Sequence, residues 1–299
     1  MKKILVIGSI NMDLTTVASR YPKMGETVFG ESFSTQQGGK GANQAVAVAK
    51  LGGNVKFFGA VGDDLYGKRL TENLEKCNVT FCGQIIPGVP SGVAVITVVN
   101  GDNCIIVTSG ANNEITPAMI EKNEHLFEDA DYVLMQLEIP VESVCTAAKL
   151  AKKHGCMVVI NPAPYKDLPK ELPQYIDLIV PNEHEAQSLT GIYPCDEDSC
   201  KKAIKAIQAM GIKNAAITLG SKGSVYSDGE NLIFTPAKKV KAVDTTAAGD
   251  TFIGGMLTYL AMGKPMDEAV KFGTAASAVT VTRIGAADSI PTAEEVIMQ

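Results

Sequence analysis

The residues with the clearest chemical potential are Asp244, Thr245, Thr246, Ala247, Ala248, Gly249, Asp250 and Thr251, a run of DTTAAGDT. A glycine-containing turn here opens a helix expected over Ala248–Leu260, straight after the strand-like TPAKKVKAV at 235–243. The first turn of a helix has N–H groups without intrahelical acceptors and carries the positive end of the helix dipole. It therefore suits a phosphate or a developing negative charge. Asp250 in that turn has a structural use as an acid near a helix N-terminus. It also has a chemical use, as a base that takes a proton from a hydroxyl attacking a phosphorus held over the same helix end. Gly249 beside the small Ala247 and Ala248 tilts the reading towards chemistry, because small residues let a substrate approach the backbone.

Four other segments carry polar groups where a ligand could use them. Gly38, Gly39, Lys40, Gly41, Ala42, Asn43 and Gln44 form a glycine-rich turn before a helix, and Lys40 and Asn43 could aim donors at a polyol. The same turn could also be plain, with a solvated lysine. Asn11 and Asp13 in GSINMD (8–13) lie just past the first strand, and Glu138 follows a strand at 132–137. Ligands of open α/β sheets bind outside the carboxyl ends of strands, where such groups take up vicinal hydroxyls; as turn formers they need no ligand. Asn182 and Glu185 in PNEHEA (181–186) read either as a helix capping box or as groups for a water-rich Mg²⁺–phosphate site. Thr218 to Ser224 (TLGSKGS) is a tight turn between strands, either a plain hairpin or a cradle for a nucleotide.

Three further patterns fail on inspection. Gly62, Gly67 and Lys68 approach the phosphate-loop pattern, but Arg69 stands where a Ser or Thr must ligate Mg²⁺. Gly39, Gly41 and Gln44 lack the third glycine of a dinucleotide fingerprint, which disfavours a nicotinamide oxidoreductase. His184 and Glu185 lack the second histidine of a zinc protease, and three histidines without ligand spacing make a structural zinc site improbable.

The elements that must position these groups follow from the apolar pattern. Runs at 3–8, 55–61, 132–137, 157–161, 177–182 and 215–220 are short, nearly continuous and β-branched, as strands of a parallel sheet covered on both faces should be. Helical patterns at 42–51, 65–76, 117–128, 141–154, 183–190 and 197–210 alternate with them, and two small-residue helices are expected at 248–262 and 266–283. That alternation predicts an α/β fold with a doubly wound, mostly parallel sheet. Residues 14–36 and 91–108 break the rhythm as Val/Thr/Ile-rich hairpins, the second turning at Asn100–Asn103. They are either a small β-layer acting as a lid or an antiparallel edge of the main sheet.

Composition sets the outer bounds. The 299 residues suffice for one large domain or two, and 45% apolar with 20% charged residues excludes disorder and fibre. Twenty-seven Lys plus Arg against 33 Asp plus Glu give a net charge of −6, which argues against nucleic acid and anionic membranes as partners. A polyanionic substrate must then be held by local devices. No apolar run approaches the roughly 18–20 residues of a membrane span. The seven cysteines are scattered, odd in number and without C-x-x-C, as expected for reduced thiols in the cytosol.

Together GGKGANQA (38–45) and DTTAAGDTF (244–252), supported by GSINMD, SGAN (109–112), PNEHEA and TLGSKG, closely resemble the ribokinase/PfkB carbohydrate kinase family. The resemblance runs in the same order over essentially the whole chain, 1–299. It implies one Rossmann-like domain with a small β-sheet lid formed by both hairpins, which often pairs with a second lid in a homodimer. It also implies direct in-line transfer from ATP to the O5 hydroxyl of ribose, with Mg²⁺ as cofactor and K⁺ as activating cation. Same-fold kinases acting on 2-deoxyribose or a nucleoside, and a non-catalytic sugar-binding sensor, are the alternatives.

By motif, the resemblance makes Asp250 the catalytic base and the N–H groups of Ala247, Ala248, Gly249 and Asp250 the anion hole. Asn11, Met12, Asp13, Gly39, Lys40, Gly41, Ala42, Asn43 and Glu138 would form the sugar pocket, which Asp250 also borders. Asn182, Thr218, Leu219, Gly220, Ser221, Lys222, Gly223, Gly249, Asp250 and Thr274 would serve the nucleotide, with Asn182 and Glu185 reaching Mg²⁺ through water. Asp244, Thr246, Thr280, Arg283, Gly285 and Ser289 match the monovalent cation motif, mostly through backbone carbonyls.

Overall fold

Aliphatic runs without polar breaks are stable only where both faces are covered. The computed structural model, which describes residues 1–227 and 232–298, puts these runs at the centre of one large sheet. In chain order the strands are β1 (Lys3–Ile7), β2 (Asn11–Val17), β3 (Ser32–Gly38), β4 (Asn54–Phe58), β5 (Ala60–Gly62), β6 (Thr80–Phe81), β7 (Gln84–Ile86), β8 (Gly92–Val99), β9 (Asp102–Thr108), β10 (Tyr132–Met135), β11 (Met157–Ile160), β12 (Leu178–Ile179), β13 (Asn214–Thr218), β14 (Ser224–Ser227) and β15 (Leu232–Thr235). The helices are α1 (Lys40–Lys50), α2 (Leu65–Lys76), α3 (Pro117–Lys122), α4 (His125–Glu128), α5 (Val141–Lys153), α6 (Glu183–Thr190), α7 (Glu197–Ala209), α8 (Ala248–Ala261), α9 (Met266–Thr280) and α10 (Ala293–Ile297).

The large sheet runs β15-β14-β13-β12-β11-β10-β1-β4-β6. It is parallel from β13 to β6, and β14 and β15 add an antiparallel edge. Alternate residues feed two cores. Leu5, Ile7, Val133 and Met135 pack with Val144, Ala147 and Ala151 of α5 on one face. Ile4, Val6, Leu134 and Val159 pack with Ala45 and Val46 of α1 and Ile253 and Met256 of α8 on the other. This is the doubly wound α/β architecture that the alternation predicts. The strands' carboxyl ends consequently share one side with the N-termini of α1, α6 and α8.

A smaller sheet, β3-β2-β8-β9, stands apart from the large one. Two antiparallel hairpins join through the parallel pair β2–β8. The register puts Asp13, Thr15 and Val17 opposite Ala94, Ile96 and Val98 on one neighbour and Gln36, Ser34 and Ser32 on the other. The first hairpin starts at Asn11 and ends at Gly38, wider than the 14–36 expected. Asn11 and Asp13 therefore sit in a strand of the small sheet and not in a turn after β1.

Several other boundaries move for physical reasons. The run 55–61 is two strands that pair with different partners, β4 with β1 and β6, and β5 with β7. The expected helix at 117–128 breaks into α3 and α4. The strand expected at 235–243 ends at Thr235, since Pro236 has no N–H for a ladder and exposed lysines follow. At 177–182 only Leu178–Ile179 is strand, followed by an isolated bridge between Asn182 and Thr218. The tail helices stop at Ala261 and Thr280, and α10 was not foreseen. No helix among the described residues is long and apolar enough to cross a membrane.

Candidate active site

Helix α8 begins at an unusual backbone position. Ala247, its N-cap, has φ 59°, a left-handed conformation that costs a non-glycine residue roughly 1–2 kcal/mol. The turn is held by the Ala248 N–H donating to the Thr245 carbonyl at 3.2 Å and by the Thr251 N–H donating to the Ala247 carbonyl at 2.8 Å. Gly249 and Asp250 thereby present the first-turn N–H groups of a 14-residue helix to a cleft of about 1040 Å³. Ala247, Ala248, Gly249 and Asp250 all line that cleft.

Asp250 is buried beside α1. Its Oδ2 accepts from Asn43 Nδ2 at 3.3 Å and its Oδ1 from Gln44 Nε2 at 2.9 Å. Burial pushes its carboxyl above the usual range, while the Lys40 charge and the Gln44 and Asn43 donors pull it back. Lys40 lines the same cleft. Desolvation opposes its charge, but Asp250, Glu138 and Glu185 together outweigh that and hold the ammonium above its ordinary value. A buried carboxylate opposed by an ammonium at a helix N-terminus can remove a proton and balance charge in one step.

At one end of the cleft the small sheet and the first turn of α1 meet. Asp13, Asn11, Gly39, Lys40, Asn43 and Glu138 line it together. Gly39 takes φ 88°, which lets the chain turn from β3 into α1. Glu138 Oε2 accepts from the Lys40 N–H at 3.0 Å and from Ser9 Oγ at 2.5 Å. Asn11 Oδ1 is held by Asn112 Nδ2 at 2.8 Å. Burial first, and the Glu138 charge second, push the Asp13 carboxyl up to about 7. Among the described residues Asn43 Oδ1 is buried without a partner, an acceptor in the cleft wall that suits a ligand hydroxyl. Met12 does not join this group: its side chain is in the core because the alternation of β2 turns it away from Asn11 and Asp13. Gly41 and Ala42 are buried behind Lys40, where the Ala42 N–H donates to the Ser9 carbonyl, and they do not line the cleft.

The opposite end holds Asn182, Glu185 and Thr218. The capping box is present: the Glu185 N–H donates to Asn182 Oδ1 at 2.8 Å, and the Asn182 N–H donates to Glu185 Oε2 at 2.9 Å. The structural and chemical readings are thus compatible, since both residues also face the cleft. Leu219 to Gly223 form a short turn beside it, outside the lining. Gly220, Ser221 and Lys222 are exposed there, and Lys222 Nζ donates to the Cys195 carbonyl at 2.6 Å. Thr274 lies in the wall behind, its hydroxyl donating to the Val270 carbonyl at 2.9 Å and meeting Ser224 Oγ at 3.2 Å.

Asp244 joins two loops. Its Oδ1 accepts from the Thr246 N–H and hydroxyl at 2.9 and 2.6 Å, and its Oδ2 from the Gly285 N–H at 2.9 Å. Burial works against the charge, but these three donors hold the carboxyl below its ordinary value. The Thr280 hydroxyl is spent on Thr251 and Ala276, Ser289 Oγ on the Ala286 carbonyl, and the Arg283 guanidinium on Glu295. The hydroxyl protons and the guanidinium here are therefore engaged within the loops, and Asp244 supplies the negative charge between them. Among the described residues no group of three or more His, Cys, Asp or Glu is arranged to hold a metal.

Sequence reasoning missed Gln44, Asn112, Asn161 and Gln136, which hold the site's groups from behind. Each is an uncharged amide, which spacing alone does not separate from a helix-surface or turn residue.

Comparison with known proteins agrees with this geometry. Residues 1–293 match the family model described as pfkB family carbohydrate kinase. The ribokinase of Haemophilus influenzae is 41% identical over 302 residues, covering 99% of this chain and 97% of its own. A deoxyribokinase of Salmonella typhimurium is 36% identical over 296 residues, with 98% and 96% covered. The structure of Arabidopsis thaliana ribokinase complexed with ribose and ATP superposes with a TM-score of 0.94 at 34% identity, covering 99% of this chain and 98% of that one.

Proposed function

The chain belongs to the pfkB family of carbohydrate kinases, and from that premise we propose that it phosphorylates D-ribose at O5 with ATP, yielding ribose 5-phosphate and ADP. The observation that carries this reading is one cleft bordered by Asp13 and Lys40 at the sugar end and by Asp250 at the start of α8. The O5 oxygen attacks the γ-phosphorus in line, its proton passes to Asp250, and the bond to the bridging oxygen of ADP breaks. Charge on the phosphoryl oxygens is met by the N–H groups of Ala247, Gly249 and Asp250 and by Lys40, whereas the Ala248 N–H holds the turn through the Thr245 carbonyl. Positioning and charge stabilisation carry most of the rate in such transfers, so no covalent intermediate is required.

Asn11, Asp13, Asn43 and Glu138 suit the sugar hydroxyls, and Asn182, Thr218 and the 219–223 turn suit the triphosphate and its nucleoside. Thr274, beside Ser224 at the end of the 219–223 turn, would serve the nucleotide side of the site. Asn182 and Glu185 would hold Mg²⁺ through water, and the ion would offset triphosphate charge. The carbonyls around 244–246, 280–285 and 289 suit K⁺, and an occupied loop there would steady the neighbouring anion hole.

The unpartnered edge strand β9 exposes Ile105, Ile106 and Val107, and Val95 and Phe33 are exposed on the same sheet. This supports pairing of two chains through their small sheets, which light scattering would test as a dimer mass. All seven cysteines are free, in keeping with the cytosol as the place of the reaction.

A panel of ribose, 2-deoxyribose and a nucleoside with ADP release as readout tests the substrate. We expect ribose to have the highest kcat/KM, because Asp13 and Asn11 are lost on a sugar lacking a hydroxyl. Equal or better rates on 2-deoxyribose would transfer the assignment to that sugar, and no turnover on any would favour a sugar-binding sensor.

A further inference from the structure

Asp250 is held by a chain of three buried amides, Gln44 and Gln136 behind the cleft wall and Asn161 in it. Gln44 Nε2 donates to Asp250 Oδ1 at 2.9 Å and faces Asn161 Oδ1 at 3.0 Å. Gln44 Oε1 accepts from Gln136 Nε2 at 2.5 Å, and Asn161 Nδ2 donates to the Val180 carbonyl at 2.8 Å. Gln44 and Gln136 have no exposed surface. Resting on the reading of Asp250 as the base, we propose that Gln44, oriented by Gln136 and Asn161, is a positioning residue that aims the Asp250 carboxylate at the acceptor hydroxyl.

The orientation of every amide follows from one backbone oxygen. A carbonyl can only accept, so the Val180 oxygen must face the NH₂ of Asn161. That turns Asn161 Oδ1 towards Gln44, whose facing atom must then be nitrogen, the same atom that meets the carboxylate. Gln44 Oε1 is left pointing at Gln136, where only an NH₂ can answer it. Flipping any one amide would set oxygen against oxygen in a dry interior, where an unmade hydrogen bond is expensive. The sequence reserves the space: a Cβ on Gly8 would stand 2.0 Å from Gln136 Oε1.

The chain also leaves Asp250 one free face. Asn43 and Gln44 occupy an oxygen each, and the remaining lone pairs look into the cleft. The charged groups around it are Lys40 from α1, Glu138 beyond β10 and Glu185 from α6. Glu138 and Glu185 favour a protonated Asp250, whereas Lys40 and the two amide donors favour the ionised form a base needs. Removing the Gln44 donor weakens the second group without touching the substrate.

Gln136→Met and Gln44→Met test this in the full-length enzyme. Gln44→Met is expected to lower kcat by about 10–100-fold, the loss typical of one hydrogen bond to a charged group, and Gln136→Met, which removes a neutral bond orienting Gln44, by about 2–10-fold. The acid limb of the kcat–pH profile should move to higher pH, while KM for ribose changes less than about threefold, since binding groups stay in place. Asp250→Asn is measured alongside. If Asp250→Asn retains turnover, the base assignment has failed and this inference with it. If it is inactive while folded Gln136→Met keeps both kcat and the acid limb of the parent, the amide chain alone is refuted. Should either methionine variant fail to fold, the wild-type enzyme decides: the side-chain ¹H–¹⁵N signals of Gln44, assigned through selective glutamine labelling, should shift with pH along the acid limb. Signals that stay constant across it would overturn the proposal.

Discussion

Asn43 Nδ2 donates to Asp250 Oδ2 at 3.3 Å although 207 positions separate the two residues. The hydrogen bond joins the first turns of α1 and α8, the two turns that the proposed function gives to the sugar and to the phosphoryl group. Neither turn forms a site alone. Their meeting follows from the sheet order, which sets both helices over the same face and starts both on the same side.

Asp250→Asn keeps the size of the side chain and removes the base. Turnover should fall by roughly 10²–10⁴-fold, the range for general base catalysis. Ribose affinity by calorimetry should stay within about threefold, as asparagine can still meet the O5 hydroxyl and Asn11, Asp13, Asn43 and Glu138 are unchanged. Near-normal turnover would contradict the assignment.

Gly38→Ala acts on the other end. A Cβ at Gly38 would stand 2.2 Å from both carboxylate oxygens of Asp13, so that flexible side chain must swing away while the backbone stays. KM for ribose should rise at least about tenfold, or about 1.4 kcal/mol of binding, with KM for ATP little changed. Steady-state kinetics with each substrate varied in turn distinguishes this from a general loss of fold.

Asp13 links the sugar pocket to pH. Its carboxyl titrates at about 7 when folded, against an ordinary value of 3.8, because burial disfavours its charge. The folded state therefore binds this proton more tightly than the unfolded chain. The stability it contributes is complete below about pH 4 and is lost as pH rises through about 7. Asp13→Asn removes the buried charge, so its Tm should exceed that of the parent at pH 8, by a margin that shrinks towards pH 5, while ribose binding weakens. A variant no more stable than the parent at pH 8 would show that the ionised Asp13 is well solvated.

The loops tied by Asp244 are the proposed place of K⁺. At constant ionic strength, K⁺ should raise kcat at least about fivefold over choline, a common size for coupling between two ligands. Equal rates in K⁺, Na⁺ and choline would remove the cation from the account.

Much of this was legible in the chain. Helices 65–76 and 183–190 end where the pattern says, because Asp64 and Asn182 cap their starts and Gly191 ends the second. The two glycine-bearing turns announced themselves through small residues next to a lone carboxylate or lysine. Asn11 and Asp13 are legible as ligand groups or turn formers just past the first strand, and their alternation with Met12 and Leu14 is the subtler sign of the second strand that carries them. Gln136 and Asn161 gave no sign, and Gln44 stood in the GGKGANQA motif without a role, for what matters in all three is the direction of an amide, which is set only when distant strands pack together. A carbonyl-lined cation site is silent for a similar reason: every residue has a carbonyl.

The most direct test of the central claim is to incubate the enzyme with ATP, Mg²⁺ and ribose and to follow the products by ³¹P NMR. The account predicts one sugar phosphoester, ribose 5-phosphate, formed in equal amount with ADP. Release of ADP with inorganic phosphate alone, or a phosphoester at another hydroxyl, would contradict a cleft that sets O5 between Asp250 and the γ-phosphate.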